Sequence, residues 1–159
     1  MRRHACSLLL AILLSGTAVS ITRGQAAAPA MAPMTTMAAS SVTWTDANIP
    51  GFAPGMKMAV INGDPNAAGP YTLRLSFPTG YRFPSHWHPN AENVTVLSGT
   101  LLLAMGDHAD EAKLKAYGPG DFLYIVSPNP HFGGARGATV IQLHGQGPFA
   151  INLAGSVPK

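Results

Sequence analysis

The sequence predicts an all-β fold, a sandwich or closed barrel, and three observations carry that prediction. From Val42 onward, short apolar runs alternate with turn signals about every 8 to 12 residues. The 17 glycines and 14 prolines among 159 residues are too many for a helical protein and suit short strands joined by turns. Only Asp107 to Lys113 has room for a turn of helix. No internal repeat divides the chain, and its length suits one domain with a real core.

The elements follow in order. Met56 to Asn62 is an apolar run closed by Gly63-Asp64-Pro65. Tyr71 to Phe77 alternates strictly, with Tyr71, Leu73, Leu75 and Phe77 on one face and Thr72, Arg74 and Ser76 on the other. Asn93 to Leu97 and Thr100 to Met105 flank Ser98-Gly99 in the manner of a hairpin. Leu114 to Tyr117 precedes Gly118-Pro119-Gly120, and Phe122 to Val126 ends at Ser127-Pro128-Asn129-Pro130. Ala138 to His144 and Phe149 to Leu153 complete the set.

Ahead of these strands the chain has a different character. Arg2, Arg3 and His4 precede the apolar run Leu8 to Leu14, and small residues follow. That order is expected of a secretory signal peptide, with cleavage after Ala26. Residues 1–26 are read as the leader, 27–41 as a flexible linker rich in Ala, Pro, Met and Thr, and 42–159 as the folded domain. Met31, Met34 and Met37 in the linker are soft donors for copper, but a compositional tether is the preferred reading. The location implied is periplasmic or secreted.

Cleavage alters the charge. The chain carries ten basic and seven acidic residues, and Arg2, Arg3 and Arg23 leave with the leader, so seven face seven. The basic balance was the only hint of nucleic acid or an anionic surface, and it disappears. Cys6 leaves too, which removes disulfides, thiolate nucleophiles and cysteine-ligated metal from the expected mature chain. No phosphate-binding loop, dinucleotide fingerprint or serine-hydrolase elbow occurs in the sequence.

The histidines carry the chemistry. His86 and His88 are two apart between Pro84 and Pro89, so extended backbone puts both imidazoles on one face. Glu92 follows after the Pro89-Asn90 bend, where the chain can return a carboxylate to that face. Imidazole with carboxylate suits iron, manganese, nickel, copper or zinc and leaves positions open for other ligands.

Gly80, five residues, His86-x-His88, three residues, Glu92, six residues and Gly99 resemble the first motif of the cupins at every fixed position. The second cupin motif is met by Gly120 and, at the expected offset, His131. Its turn departs: Val126 stands where proline is usual, Pro128 where glycine is usual, and Ala135 where asparagine is usual. The resemblance covers roughly Val42 to Leu153. It implies a cupin-type double-stranded β-helix, a jelly-roll barrel, holding one divalent transition metal ion on His86, His88, Glu92 and His131. Glu92 would be a fourth ligand or the catalytic base.

Other polar residues have open roles. Gln142 and His144 share a strand face and either line the cavity mouth or form a solvated rim. Arg74 either pairs with an anionic ligand inside or is solvated, and Tyr124 and Phe122 alternate with Leu123 and Ile125, with either set open to face the cavity. His108, among carboxylates, reads as surface, and Trp87 as packing. The resemblance supports two functions: a dioxygenase-like metal-dependent oxidoreductase acting on a small oxygenated organic molecule, or a non-catalytic ligand-binding or sensor barrel with a structural metal. The implied partner is a small molecule, and a homodimer stays open. Nucleic acid is not expected, nor is membrane once the leader is cleaved.

Overall fold

The computed structural model describes residues 34–156. The expected leader, and the linker as far as residue 33, lie outside the described residues. From residue 36 the described chain belongs to one compact unit, which contains every strand named here. Its first residues, Thr36 to Ser41, are exposed and include one short 3-10 turn at Ala39–Ser41.

Eleven strands form among the described residues: β1 (Thr45–Asp46), β2 (Lys57–Asn62), β3 (Gly69–Phe77), β4 (Arg82–Trp87), β5 (Glu92–Ser98), β6 (Leu101–Met105), β7 (Lys115–Tyr117), β8 (Phe122–Ile125), β9 (His131–Ala135), β10 (Thr139–Gly147) and β11 (Asn152–Leu153). They make a six-stranded sheet ordered β1-β2-β3-β10-β5-β8 and a five-stranded sheet ordered β11-β4-β9-β6-β7. Every pairing is antiparallel. The all-β jelly-roll barrel expected from the sequence is the fold observed.

Alternation decides what faces inward. Along β3, Tyr71, Leu73, Leu75 and Phe77 are buried while Thr72, Arg74 and Ser76 are only partly covered. β10 repeats this with Ile141 and Leu143 inside, and β5 with Val94 and Val96. The facing sheet adds Phe83, Leu101, Leu103 and Ala135 to the same core. Each large side chain among these contributes about 1.5–3 kcal/mol by leaving water. That apolar interior makes a buried polar group conspicuous.

One expectation is corrected. β5 and β6 do not form a hairpin; β5 pairs with β10 and β8, and β6 with β9 and β7. Gly99 is the cause. Its φ of +78° is open to glycine at little cost, and its α-carbon lies so close to the Ala138 carbonyl and Thr139 that a side chain would collide. The chain therefore turns from one sheet into the other. Two smaller differences concern the last expected strand and the expected helical turn. Of Phe149 to Leu153 only Asn152–Leu153 pairs, and the turn within Asp107 to Lys113 is a 3-10 turn at Glu111–Lys113.

Candidate metal centre

The site forms where the chain passes between the sheets. His86 lies on β4 directly opposite His131 on β9. His88 follows β4, and Glu92 opens β5 in the other sheet. An irregularity between Phe83 and His86 breaks the simple alternation of β4. It brings Phe83 and His86, three residues apart, to the same cavity, with ring centroids 5.5 Å apart. Ser127, in the turn before β9, donates to the carbonyls of His88 and Pro89 at 2.9 and 2.8 Å. The departing second-motif turn thus pins the first-motif crossing and still delivers His131.

All four predicted site residues come together and are buried, at 6% exposure or less. One ring nitrogen from each of His86, His88 and His131 lies within 4.8 Å of the others. Their Nδ1 atoms face backbone carbonyls: Pro84 at 2.9 Å, Ala150 at 2.7 Å and Asn129 at 3.3 Å. A carbonyl only accepts, so each Nδ1 carries the proton and each Nε2 keeps its lone pair. Glu92 Oε2 is 3.2 Å from His88 Nε2 and 3.8 Å from His131 Nε2. The shorter contact is not a hydrogen bond, and His88 Nε2 is buried without a partner.

Burial also sets the charges. It pushes His86 down to about 4, and, with His86 beside it, His88 down to about 3. His131 falls well below the ordinary histidine value, from burial and then from the two neighbouring histidines. Burial raises Glu92 to about 8. Near neutral pH these are three neutral imidazoles and a largely protonated carboxyl, so the close Glu92 contacts are not ion pairs. A cation would reverse the cost at Glu92, since opposite charge favours the carboxylate.

This donor set fits a divalent transition metal. Three lone pairs are fixed by hydrogen bonds from the far side of each ring, the arrangement that orients histidine ligands. An orphaned nitrogen faces the place a cation would take. The three histidines could hold the ion alone, with Glu92 beside them.

The centre lies in a cavity of about 40 Å³ inside the barrel. Phe52, Phe149 and Ile151 border it. Phe52 meets the edge of His86 at 5.2 Å, and Phe149 stacks on His88 at 5.3 Å. Sequence reasoning missed these three because irregular segments carry them; the aromatic residues beside Gly51 and Pro148 were the only signal. Ile125 is buried in the cavity wall, while Phe122 and Tyr124 are both 60% exposed.

Gln142, His144 and Arg74 do not reach the cavity; all are on the outer face of the six-stranded sheet. Arg74 Nε donates to Gln142 Oε1 at 2.9 Å, Gln142 Nε2 meets His144 Nε2 at 3.0 Å, and His144 Nδ1 meets Thr72 Oγ1 at 3.1 Å. His108 is on the surface against Asp107. Trp87 is partly buried facing away from the site histidines, with its indole N–H unpartnered.

Comparison with known proteins agrees with this architecture. Residues 73–143 match the cupin domain family, which supports placing this barrel in the cupin superfamily. No curated protein matches the sequence. Among solved structures, the polyketide cyclase RemF from Streptomyces resistomycificus is similar with a TM-score of 0.64 and 16% identity, covering 80% of this chain and 88% of that one. A cupin 2 conserved barrel domain protein from Rhodopseudomonas palustris has a TM-score of 0.57 and 15% identity, covering 75% and 83%. The DMSP lyase DddQ from Ruegeria pomeroyi DSS-3 has a TM-score of 0.57 and 18% identity, covering 76% and 64%. At such identities the likeness concerns the fold. No helix among the described residues is long and apolar enough to cross a membrane.

Proposed function

We propose that this chain is an exported, mononuclear metal-dependent oxidoreductase of dioxygenase-like type, acting on a small oxygenated organic molecule. The observation that supports it is the lone-pair geometry: three buried imidazoles share one proton placement, and His88 Nε2 is left without a partner. His86, His88 and His131 hold the ion through Nε2. When bound, the metal supplies Lewis acidity and, if redox-active, one-electron chemistry. Glu92 is a fourth ligand or the base, taking a proton from the substrate at Oε2 and keeping it in an apolar site. Phe52, Phe149 and Ile151 keep bulk water out.

In this reading residues 1–26 are a cleaved leader, 27–41 a tether and 42–159 the working domain, in the periplasm or outside the cell. The test is elemental analysis of protein from its native compartment, together with its N-terminus. Iron, copper, manganese or nickel with oxygen uptake on a small-molecule substrate is the expected result. Stoichiometric zinc without turnover would overturn the enzyme reading in favour of a ligand-binding barrel, and a retained Met1 would overturn export.

A further inference from the structure

We propose that the site accepts a compact molecule with one metal-directed oxygen head and a short apolar body, and that its walls discriminate against any second polar group. This rests on the metal reading above and concerns what surrounds the metal. Apart from the three histidines and Glu92, every residue lining the cavity is apolar; Leu75, Val94, Leu103, Ile125 and Leu143 are among them. Tyr71 and Tyr81 are buried with their hydroxyls but do not line the cavity, and two further polar side chains are buried among the described residues, Ser85 and Thr139. Both donate to backbone carbonyls, Ser85 to Gly106 at 2.6 Å and Thr139 to Gly137 at 2.9 Å, and neither lines the cavity. Arg74, Gln142 and His144, the polar groups the sequence offered as alternatives, are on the far side of the sheet.

A hydroxyl, ammonium or second carboxylate on the substrate body would lose its water and find no partner, at a cost of tenfold or more in affinity. A sugar, a phosphate ester or a dicarboxylate has no second anchor there. The head is different, because the metal and Glu92 meet it. Size restricts the body further. A water-sized group needs roughly 10–15 Å³, so a cavity of about 40 Å³ holds only a few such groups beside the ion.

The experiment uses the full chain loaded with cobalt(II) and a series of aliphatic hydroxamic acids, which share one bidentate oxygen head and differ in tail. Binding is read from the visible absorption of the cobalt. Affinity is expected to rise about fourfold per methylene from the formyl to the propionyl or butyryl member and to fall for longer tails. Glycine hydroxamic acid, with an ammonium on its tail, should bind at least about tenfold more weakly than the propionyl compound. Cobalt that loads normally but shows a flat series, or equal binding of the ammonium compound, would overturn the apolar-body inference and leave the metal reading standing. Failure of cobalt to enter the site would overturn the metal reading, and this inference with it.

Discussion

The histidines of the two barrel faces differ in what their second nitrogen does. His86, His88 and His131 each spend Nδ1 on a backbone carbonyl and keep the other ring nitrogen for a buried, mostly apolar interior. His144 is on the strand next to Glu92, opposite Asn93 and one residue before the partner of Glu92, yet both of its nitrogens are engaged by side chains, Thr72 on one and Gln142 on the other. Arg74 holds the Gln142 oxygen, so the amide nitrogen faces His144 and its Nε2 must accept. A histidine is made ready for metal by having its far nitrogen anchored and its near one left unpaired. Proximity to the cavity is not enough.

The sharpest way to break this contrast is to delete rings from both groups. Replacing His86, His88 or His131 by Ala should weaken cobalt or zinc binding by more than about 100-fold, beyond the range typical of supporting residues. His144→Ala and His108→Ala should change it by less than about twofold, since neither ring faces the ion. Competition against a chelator of known affinity, at folded fractions matched by circular dichroism, gives the comparison. Comparable losses from His144→Ala and His88→Ala would end it.

The second effect is on pH-dependent stability of the metal-free protein. The depressed histidines contribute stability that is present above about 6.5 and lost as pH falls through about 4 for His86 and about 3 for His88, with His131 acting in the same direction. Glu92 acts in the opposite sense: its raised value gives stability present below 4.5 and lost as pH rises to about 8. Each group changes stability by up to about 1.4 kcal/mol per pH unit in its window. Three histidines outweigh one carboxyl below 6.5, so the metal-free melting temperature should peak near there and decline toward pH 8. Glu92→Gln should flatten the alkaline decline, as should metal, which stabilises the carboxylate. Thermal melts across that range check both, in chelator for the Gln variant and with added metal for the unsubstituted protein. A decline that persists in the Gln variant would show that some group other than Glu92 causes it.

The sequence made some of this readable and hid the rest for physical reasons. Strict alternation placed Leu73, Leu75 and Phe77 inside, and the spacing of Gly80, His86, His88, Glu92 and Gly99, with His131 at its offset from Gly120, picked out the four residues that the fold brings together. β9 was not read as a strand, because His-Phe-Gly-Gly-Ala has little strand propensity. Its glycines serve close packing instead, since a side chain on Gly133 or Gly134 would strike the Leu102 or Tyr81 carbonyl. Alternation along Ala138 to His144 showed that Gln142 and His144 share a face but not which face, which depends on the register of β10 between β3 and β5. The Ser98-Gly99 pair looks the same in a hairpin as at a crossing between sheets; the contact with Ala138 and Thr139 distinguishes them.

A smaller effect should come from outside the ligand set. Ser127 ties the turn before β9 to the carbonyls of His88 and Pro89. Ser127→Ala should cost about 1 kcal/mol of stability and weaken metal binding roughly tenfold, within the range for groups that orient ligands. Ser127→Thr, which keeps the hydroxyl, should recover most of the metal affinity. If Ala and Thr variants bind metal equally, the turn supports the fold without steering the site.

The smallest effect tests the outer face alone. The hydrogen bonds from Arg74 through Gln142 and His144 to Thr72 join β3 to β10 at the surface, where water competes for every partner. Gln142→Leu removes the middle of that chain and leaves Arg74 and His144 partly solvated, so neither becomes a buried orphan. The loss should therefore be near the net value of an ordinary hydrogen bond, about 0.5–1.5 kcal/mol, offset in part by the better strand propensity of leucine. Metal affinity and the pH of the metal-free stability maximum should stay unchanged, because the sheet separates the substitution from the cavity. Denaturant unfolding measures the first quantity, and chelator competition and chelator melts measure the others. A stability loss with unaltered metal binding would confirm that the two faces are energetically independent. A fall in metal affinity would mean that the outer hydrogen bonds set the position of β10 beneath Glu92, and that the two histidine environments are coupled through the strand they share.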